Sequence, residues 1–182
     1  MAVSLSAKAI TDAFCNYILR EERRNKVFPN VYLGRWECDI LKLTPSDYST
    51  EYEVKTSRVD FFNDFKKEVS NYSREDCGKV VGTSVKHEQI KSGKRTNYFY
   101  FVVPDGLVTA EECPEYAGLI YAKQYRLFGS EDSRIYFSMI KSAPRLTKEK
   151  FAKESLMDLY NKIYYRFHTL RMDKMKKDES IN

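Results

Sequence analysis

Apolar residues recur along this chain at helical spacing in three places, and between them the pattern switches to strand-like alternation. Ile10, Phe14, Tyr17 and Ile18 share one helical face, which predicts a first helix capped by Ser4 or Ser6 and running to about Arg24. Glu21 follows Tyr17 by four residues and extends that face. Val27 to Leu33 predicts a short strand, and Gly34 a turn or bulge. Arg35 to Leu43 predicts the next strand. Trp36, Cys38, Ile40 and Lys42 fall on one of its faces, and Arg35, Glu37, Asp39, Leu41 and Leu43 on the other. Thr44-Pro45-Ser46-Asp47 supplies turn chemistry, and Ser49 to Thr56 returns as a hairpin. There Tyr52, Val54 and Thr56 alternate with Glu51, Glu53 and Lys55, which sets Glu53 and Lys55 on one face about 7 Å apart.

Ser57, with Asp60 three residues on, predicts the start of a second helix reaching about Arg74, with Val59, Phe62, Phe65 or Lys66, and Val69 as its apolar stripe. Glu75 to Thr96 is polar and glycine-containing, and predicts a long loop or an interrupted hairpin, with a short strand at Lys79-Val80-Val81. Asn97 to Val103 is continuously apolar, the pattern of a central strand covered on both faces. Thr109 to Glu112 predicts one helical turn, Ala117 to Ala122 another buried strand, and Gln124–Phe128 with Arg134–Lys141 an antiparallel ribbon turning at Gly129–Asp132. After Pro144, Thr147 can cap a long last helix with Leu156, Leu159, Ile163, Phe167 and Leu170 as a core-facing stripe. The order predicts an α/β fold in which helices flank a mixed central β-sheet. It predicts one domain over 1–174, with 75–96 as its long loop and 175–182 as a charged tail.

Composition changes this picture little. In 182 residues, 42% are hydrophobic and 31% charged, as expected of a soluble globular protein, and the net charge of +5 permits a nucleic-acid partner without demanding one. Cys15, Cys38, Cys77 and Cys113 form no CxxC pair, which argues against zinc and for a reducing cytoplasm. The opening residues are too polar for a secretory signal, and no apolar run approaches the roughly 20 residues of a membrane span. A homodimer is allowed.

The chemistry concentrates between Trp36 and Asp64. Mg²⁺ or Mn²⁺ takes one or two carboxylates, keeps several waters and accepts phosphate oxygens. Asp39 and Glu53 on adjacent strands suit that role, with the backbone carbonyl of Val54 as a third protein ligand and Lys55 beside the metal as a cation for the attacking water or the transition state. A cross-strand ion-pair cluster is the competing explanation of the same residues.

The segment resembles the PD-(D/E)xK nuclease superfamily, and within it the MmcB-like DNA-repair group. The matching pieces are Glu37-Cys38-Asp39-Ile40-Leu41, Glu53-Val54-Lys55-Thr56-Ser57-Arg58-Val59-Asp60-Phe61 with Asp64 downstream, Tyr98 to Pro104, Ala117 to Ala122, and Ala143-Pro144-Arg145-Leu146. The resemblance implies a restriction-endonuclease-like core and a metal-dependent DNA nuclease. In it Asp39 and Glu53 are ligands, Lys55 is the catalytic lysine, and an acid from the first helix, here Glu21, joins the site. The chain departs from the family in a longer Glu75–Thr96 stretch and in carrying Asn30 where some members have a glutamate. For a DNA backbone the candidates are Arg58, Lys79, Lys86, Lys91, Lys94 and Arg95. Arg58, Asp60 and Asp64 stand at a helix start that could take a phosphate, with capping and surface pairing as the plainer role. Tyr72, on the predicted helix, stands where the superfamily often has a residue touching the site, with packing as the plainer role, and His87 and His168 are isolated. The rival from another class is a non-catalytic DNA-binding or assembly protein retaining the fold.

Overall fold

The computed structural model describes residues 5–33, 36–72, 80–126 and 133–179. The chain forms two compact units, Met1–Lys150 and Phe151–Asn182. The first contains α1 (Ala7–Glu21), β1 (Lys26–Tyr32), β2 (Glu37–Leu43), β3 (Ser49–Val54), α2 (Arg58–Asp64), β4 (Glu68–Tyr72), β5 (Val80–Val85), α3 (Lys86–Lys91), β6 (Tyr98–Pro104), β7 (Gly118–Arg126) and β8 (Ser133–Lys141). The second contains α4 (Lys153–Glu179).

Six strands form one mixed sheet in the order β1-β2-β3-β6-β7-β8. β3 pairs with β6 and β6 with β7 in parallel, while β1–β2, β2–β3 and β7–β8 are antiparallel. Period-two alternation then decides which side chain meets which layer. Tyr52 and Val54 of β3, with Val102 of β6, pack against Ile10, Phe14 and Ile18 of α1. Phe99, Phe101 and Val103 of β6 face the other way, onto Phe61 of α2 and Ile90 of α3. Phe61 and Phe101 are fully buried with ring centroids 4.7 Å apart, and burial on this scale stabilises by about 1.5–3 kcal/mol per side chain. By the same alternation, Glu51 and Glu53 fall on the α2–α3 side of β3. That places two acids at the heart of the sheet.

The first helix begins where the pattern predicts, with the Ser6 hydroxyl accepting from the Ala9 N–H at 3.2 Å. The hairpin of β2 and β3 and the central place of β6 agree with the pattern too. Four other expectations change. The helix predicted to reach Arg74 ends at Asp64, because its buried face is Phe61 and Asp64, while Val59 and Phe62 of the expected stripe are exposed. Glu68 to Tyr72 instead pairs with Val80 to Val85 as a two-stranded antiparallel ribbon, and α3 follows it directly. The supposed long loop is therefore structured from Val80 onward, and the Lys79 strand position and Cys77 lie outside the described residues. Thr109 to Glu112 is a turn closed by two bonds, Thr109 N–H to Glu112 Oε2 (2.9 Å) and Glu112 N–H to Thr109 Oγ1 (3.4 Å), rather than a helix. The last helix starts at Lys153, not after Thr147, because Asn97 Nδ2 donates to the carbonyls of Thr147 (2.9 Å) and Glu149 (2.7 Å) and takes up acceptors a helix there would use.

Two glycines are fixed by close approach. A Cβ on Gly118 would stand 2.2 Å from the Tyr100 ring, and one on Gly93, at φ +69°, would stand 2.5 Å from the Leu146 carbonyl oxygen.

Candidate functional site

The β2–β3 ladder runs only as far as the Ile40–Tyr52 pair. One residue further, the Asp39 carboxylate takes the place of a strand partner and accepts the Val54 N–H at 2.7 Å. This bond fixes Asp39 beside the end of β3. The Lys55 N–H donates to the Val102 carbonyl at 3.1 Å, so the backbone carrying Glu53 and Lys55 is held by β6. Asp39 and Glu53 line one cleft of about 500 Å³, bounded across from them by Lys67 and Glu68 next to and on β4, and by Lys86 of α3.

Behind the cleft lies a buried ionic network. Lys55 Nζ bonds Glu53 Oε1 and Asp64 Oδ1, each at 2.9 Å, and stands 3.8 Å from Asp60 Oδ2. Asp64 is completely buried and also meets Lys67 (2.7 Å), Lys86 (3.1 Å) and His87 Nε2 (2.7 Å). A carboxylate can only accept, so His87 Nε2 carries the proton in that bond. The other ring nitrogen, Nδ1, is 2.9 Å from the Tyr116 hydroxyl. Glu53 Oε2 is buried and ion-paired with Lys86 Nζ at 2.9 Å, with no other donor near it among the described residues.

Charge states follow from these neighbours. Burial and the Glu53 charge push the Asp39 carboxyl up to about 6, against the Val54 N–H and the two lysines. Burial would also raise Asp64, but the His87 bond and the Lys86, Lys55 and Lys67 charges outweigh it and hold that carboxyl well below the usual range. Burial works against the Lys55 ammonium, and the Glu53 and Asp64 charges more than offset it, so its pKa rises. Lys86 rises for the same reasons, with burial opposed by Glu53, Asp64 and Glu51. Both lysines are therefore cations at neutral pH, fit to hold charge and unfit as general bases.

Of the residues singled out in the sequence, Asp39, Glu53 and Lys55 come together. Val54 enters the site through its N–H. Glu21 does not join them: its side chain is 52% exposed and pairs with Arg20, because α1 ends there and Tyr17 is the last residue of that helical row packed on the core. Arg95 is not a surface cation either. It stacks 3.5 Å over the Trp36 ring and pairs with Glu51 at 2.8 Å, inside the fold. Lys86 is buried in the ionic network rather than displayed on a loop. Lys91 and Lys94 are exposed, Arg58 is spent on Glu112 and the Leu107 carbonyl (2.9 Å), and Lys79 lies outside the described residues. Asp64, Lys86 and His87 are the residues sequence reasoning undervalued. The β-branched run Val80, Val81 and Val85 ending at Lys86, with Ile90 four residues on, is the signal of a strand passing into a helix.

Among the described residues, no three His, Cys, Asp or Glu side chains converge as a metal cage. The donor set nevertheless fits a hard divalent cation of the Mg²⁺ class. Two carboxylates share the cleft, one buried carboxylate oxygen lacks a hydrogen bond, and such ions complete their shell with water and phosphate oxygens.

No protein-family model and no curated protein matches the sequence. A solved structure that is similar is the SPO1766 protein of unknown function from Silicibacter pomeroyi, at 16% identity and TM-score 0.59, covering 93% of this chain and 94% of that one. The likeness is one of fold. With its mixed six-stranded sheet flanked by helices, the architecture is α/β and consistent with a restriction-endonuclease-like core. Among the described residues, no helix is long and apolar enough to cross a membrane.

Proposed function

We propose that the protein is a Mg²⁺- or Mn²⁺-dependent DNA nuclease of the PD-(D/E)xK type, with a repair- or restriction-type role. The observation that carries this reading is the meeting of Asp39, Glu53 and Lys55 at the end of β3, with both carboxylates lining one cleft and the lysine held as a cation beside Glu53. Asp39 and Glu53 would hold the metal, which when bound supplies Lewis acidity and a more acidic water. Asp39 is preset for this by the Val54 N–H, which fixes one oxygen and leaves the other without a backbone bond to break. Lys55 orients the attacking water and stabilises negative charge as it builds on the phosphate. Because Asp64 anchors it at 2.9 Å, the ammonium need not reorganise during the reaction.

The rival, a DNA-binding or assembly protein that keeps this fold, draws support from the two lysines that already neutralise Glu53. One experiment separates the two. Supercoiled, linear and single-stranded DNA are incubated with the protein in Mg²⁺, Mn²⁺ or chelator. Metal-dependent cutting of any form that is lost in Asp39→Ala supports the nuclease; retention of DNA without cutting supports the rival.

A further inference from the structure

Lys86 opens α3, with its backbone N–H tied to the Lys67 carbonyl at 2.8 Å and its side chain 3% exposed. It is one of two ammonium groups on a single carboxylate, since Lys55 holds Glu53 Oε1 and Lys86 faces Oε2. The two are held differently. Lys55 makes proper hydrogen bonds to Glu53 and to Asp64, whereas Lys86 approaches Glu53 Oε2 at 2.9 Å without making one. Lys86, unlike Lys55, lines the cleft beside Asp39 and Glu53. A divalent cation bridging those carboxylates needs that same oxygen. Two cations cannot share it closely in a buried setting, where like charges a few ångströms apart are poorly screened and repel. Lys86 has a second anchor in Asp64 Oδ2 at 3.1 Å and a flexible four-carbon stem on which to turn.

Resting on the reading of Asp39 and Glu53 as the metal pair, we propose that Lys86 is an exchangeable counter-ion. It neutralises Glu53 in the metal-free protein, and moves onto a phosphate oxygen of the substrate when a divalent cation and a phosphodiester enter the cleft. In that second position it touches substrate and is a catalytic residue alongside Lys55. The neighbouring Glu51 shows what a purely structural pair looks like here. Both its oxygens are hydrogen-bonded, by Trp36 Nε1 at 2.9 Å and Arg95 Nε at 2.8 Å.

The test uses the full chain and two readouts: Mn²⁺ binding by calorimetry, and cleavage of supercoiled plasmid in saturating Mn²⁺. Lys86→Met removes the competing charge, and should bind Mn²⁺ at least about tenfold more tightly while cutting about a hundredfold more slowly. Lys86→Gln serves where Lys86→Met does not fold, and Lys86→Arg, which keeps the charge, should leave Mn²⁺ affinity near that of the wild type. Opposite movement of the two readouts supports the exchange, as does Mn²⁺ binding by Lys86→Met when the wild type binds none. Equal or weaker binding by the variant overturns the exchange alone. Tighter binding with an unchanged cleavage rate overturns the transfer to phosphate. Mn²⁺ binding without any cleavage by the wild type overturns the nuclease reading and that transfer together, and absence of Mn²⁺ binding in every protein overturns the metal site itself.

Discussion

Glu51 and Glu53 stand two residues apart on β3, face the same way and are both buried, yet the fold treats them differently. Glu51 is enclosed: an indole N–H and a guanidinium satisfy both oxygens, and Arg95 in turn donates to the Leu33 carbonyl and covers the Trp36 ring. It locks the link between β1 and β2 to the segment entering β6. Glu53 faces a cleft, has one oxygen without a hydrogen bond, and is neutralised by lysines rather than by fixed planar donors. A buried acid that is fully bonded is a structural joint. One held by lysine ammonium groups at the wall of a cleft is what the proposed metal pair requires.

The largest effect should come from the cleft side. Asp39→Ala and Lys55→Ala are each expected to lower metal-dependent DNA cleavage by at least about a thousandfold, with far-ultraviolet circular dichroism unchanged. Retained cleavage in either variant would remove the distinction between the two glutamates.

Next is stability. Glu51→Ala leaves the Arg95 guanidinium buried without its partner and should cost about 3–5 kcal/mol in denaturant unfolding. Glu53→Gln should cost less, because Lys55 and Lys86 keep Asp64 as a shared counter-ion, and should abolish Mn²⁺ binding instead. Equal losses of stability would show that both are joints.

A third test is pH. The folded-state carboxyl of Asp39 lies at about 6, above its ordinary 3.8, so ionising it disfavours the folded state. Well below pH 3.8 the group is protonated in both states and contributes nothing. As pH rises from about 3.8 to about 6 the wild type should lose about 3 kcal/mol relative to Asp39→Asn, a difference read from denaturant midpoints at about pH 3 and about pH 7. Asp64 has the opposite sign. Its depressed carboxyl supplies stability above its unfolded value, and loses it as pH falls. A flat difference between wild type and Asp39→Asn would place Asp39 outside the cleft's electrostatics.

The smallest effect concerns the exposed cations. Replacing Lys91 and Lys94 together by alanine should reduce the salt dependence of DNA binding by at most about two phosphate contacts and leave cleavage at saturating DNA unaltered. A larger change would put the DNA path across α3.

Much of this was legible from local patterns. Alternation along Glu37–Leu43 and Ser49–Val54 placed Asp39, Glu53 and Lys55 on one face, because side-chain direction in a strand depends only on residue parity. The continuous apolar run at Tyr98–Pro104 marked the central strand, and the α/β order followed. Assembly of the network behind those residues lay beyond local pattern. Asp64 resembles a surface helix residue until Lys67, Lys86 and His87 close over it, and Lys86 and His87 reach it only through the pairing of Glu68–Tyr72 with Val80–Val85. Glu21 shows the converse, a residue on the right helical row whose helix stops before the row reaches the core. By itself, then, the sequence determined the hairpin, the faces and the three residues that meet at the end of β3, through local backbone geometry. Tertiary structure alone decided which acid is sealed and which is open. That choice depends on donors arriving from residues about ten to forty-five positions away along the chain, and no local period encodes their arrival.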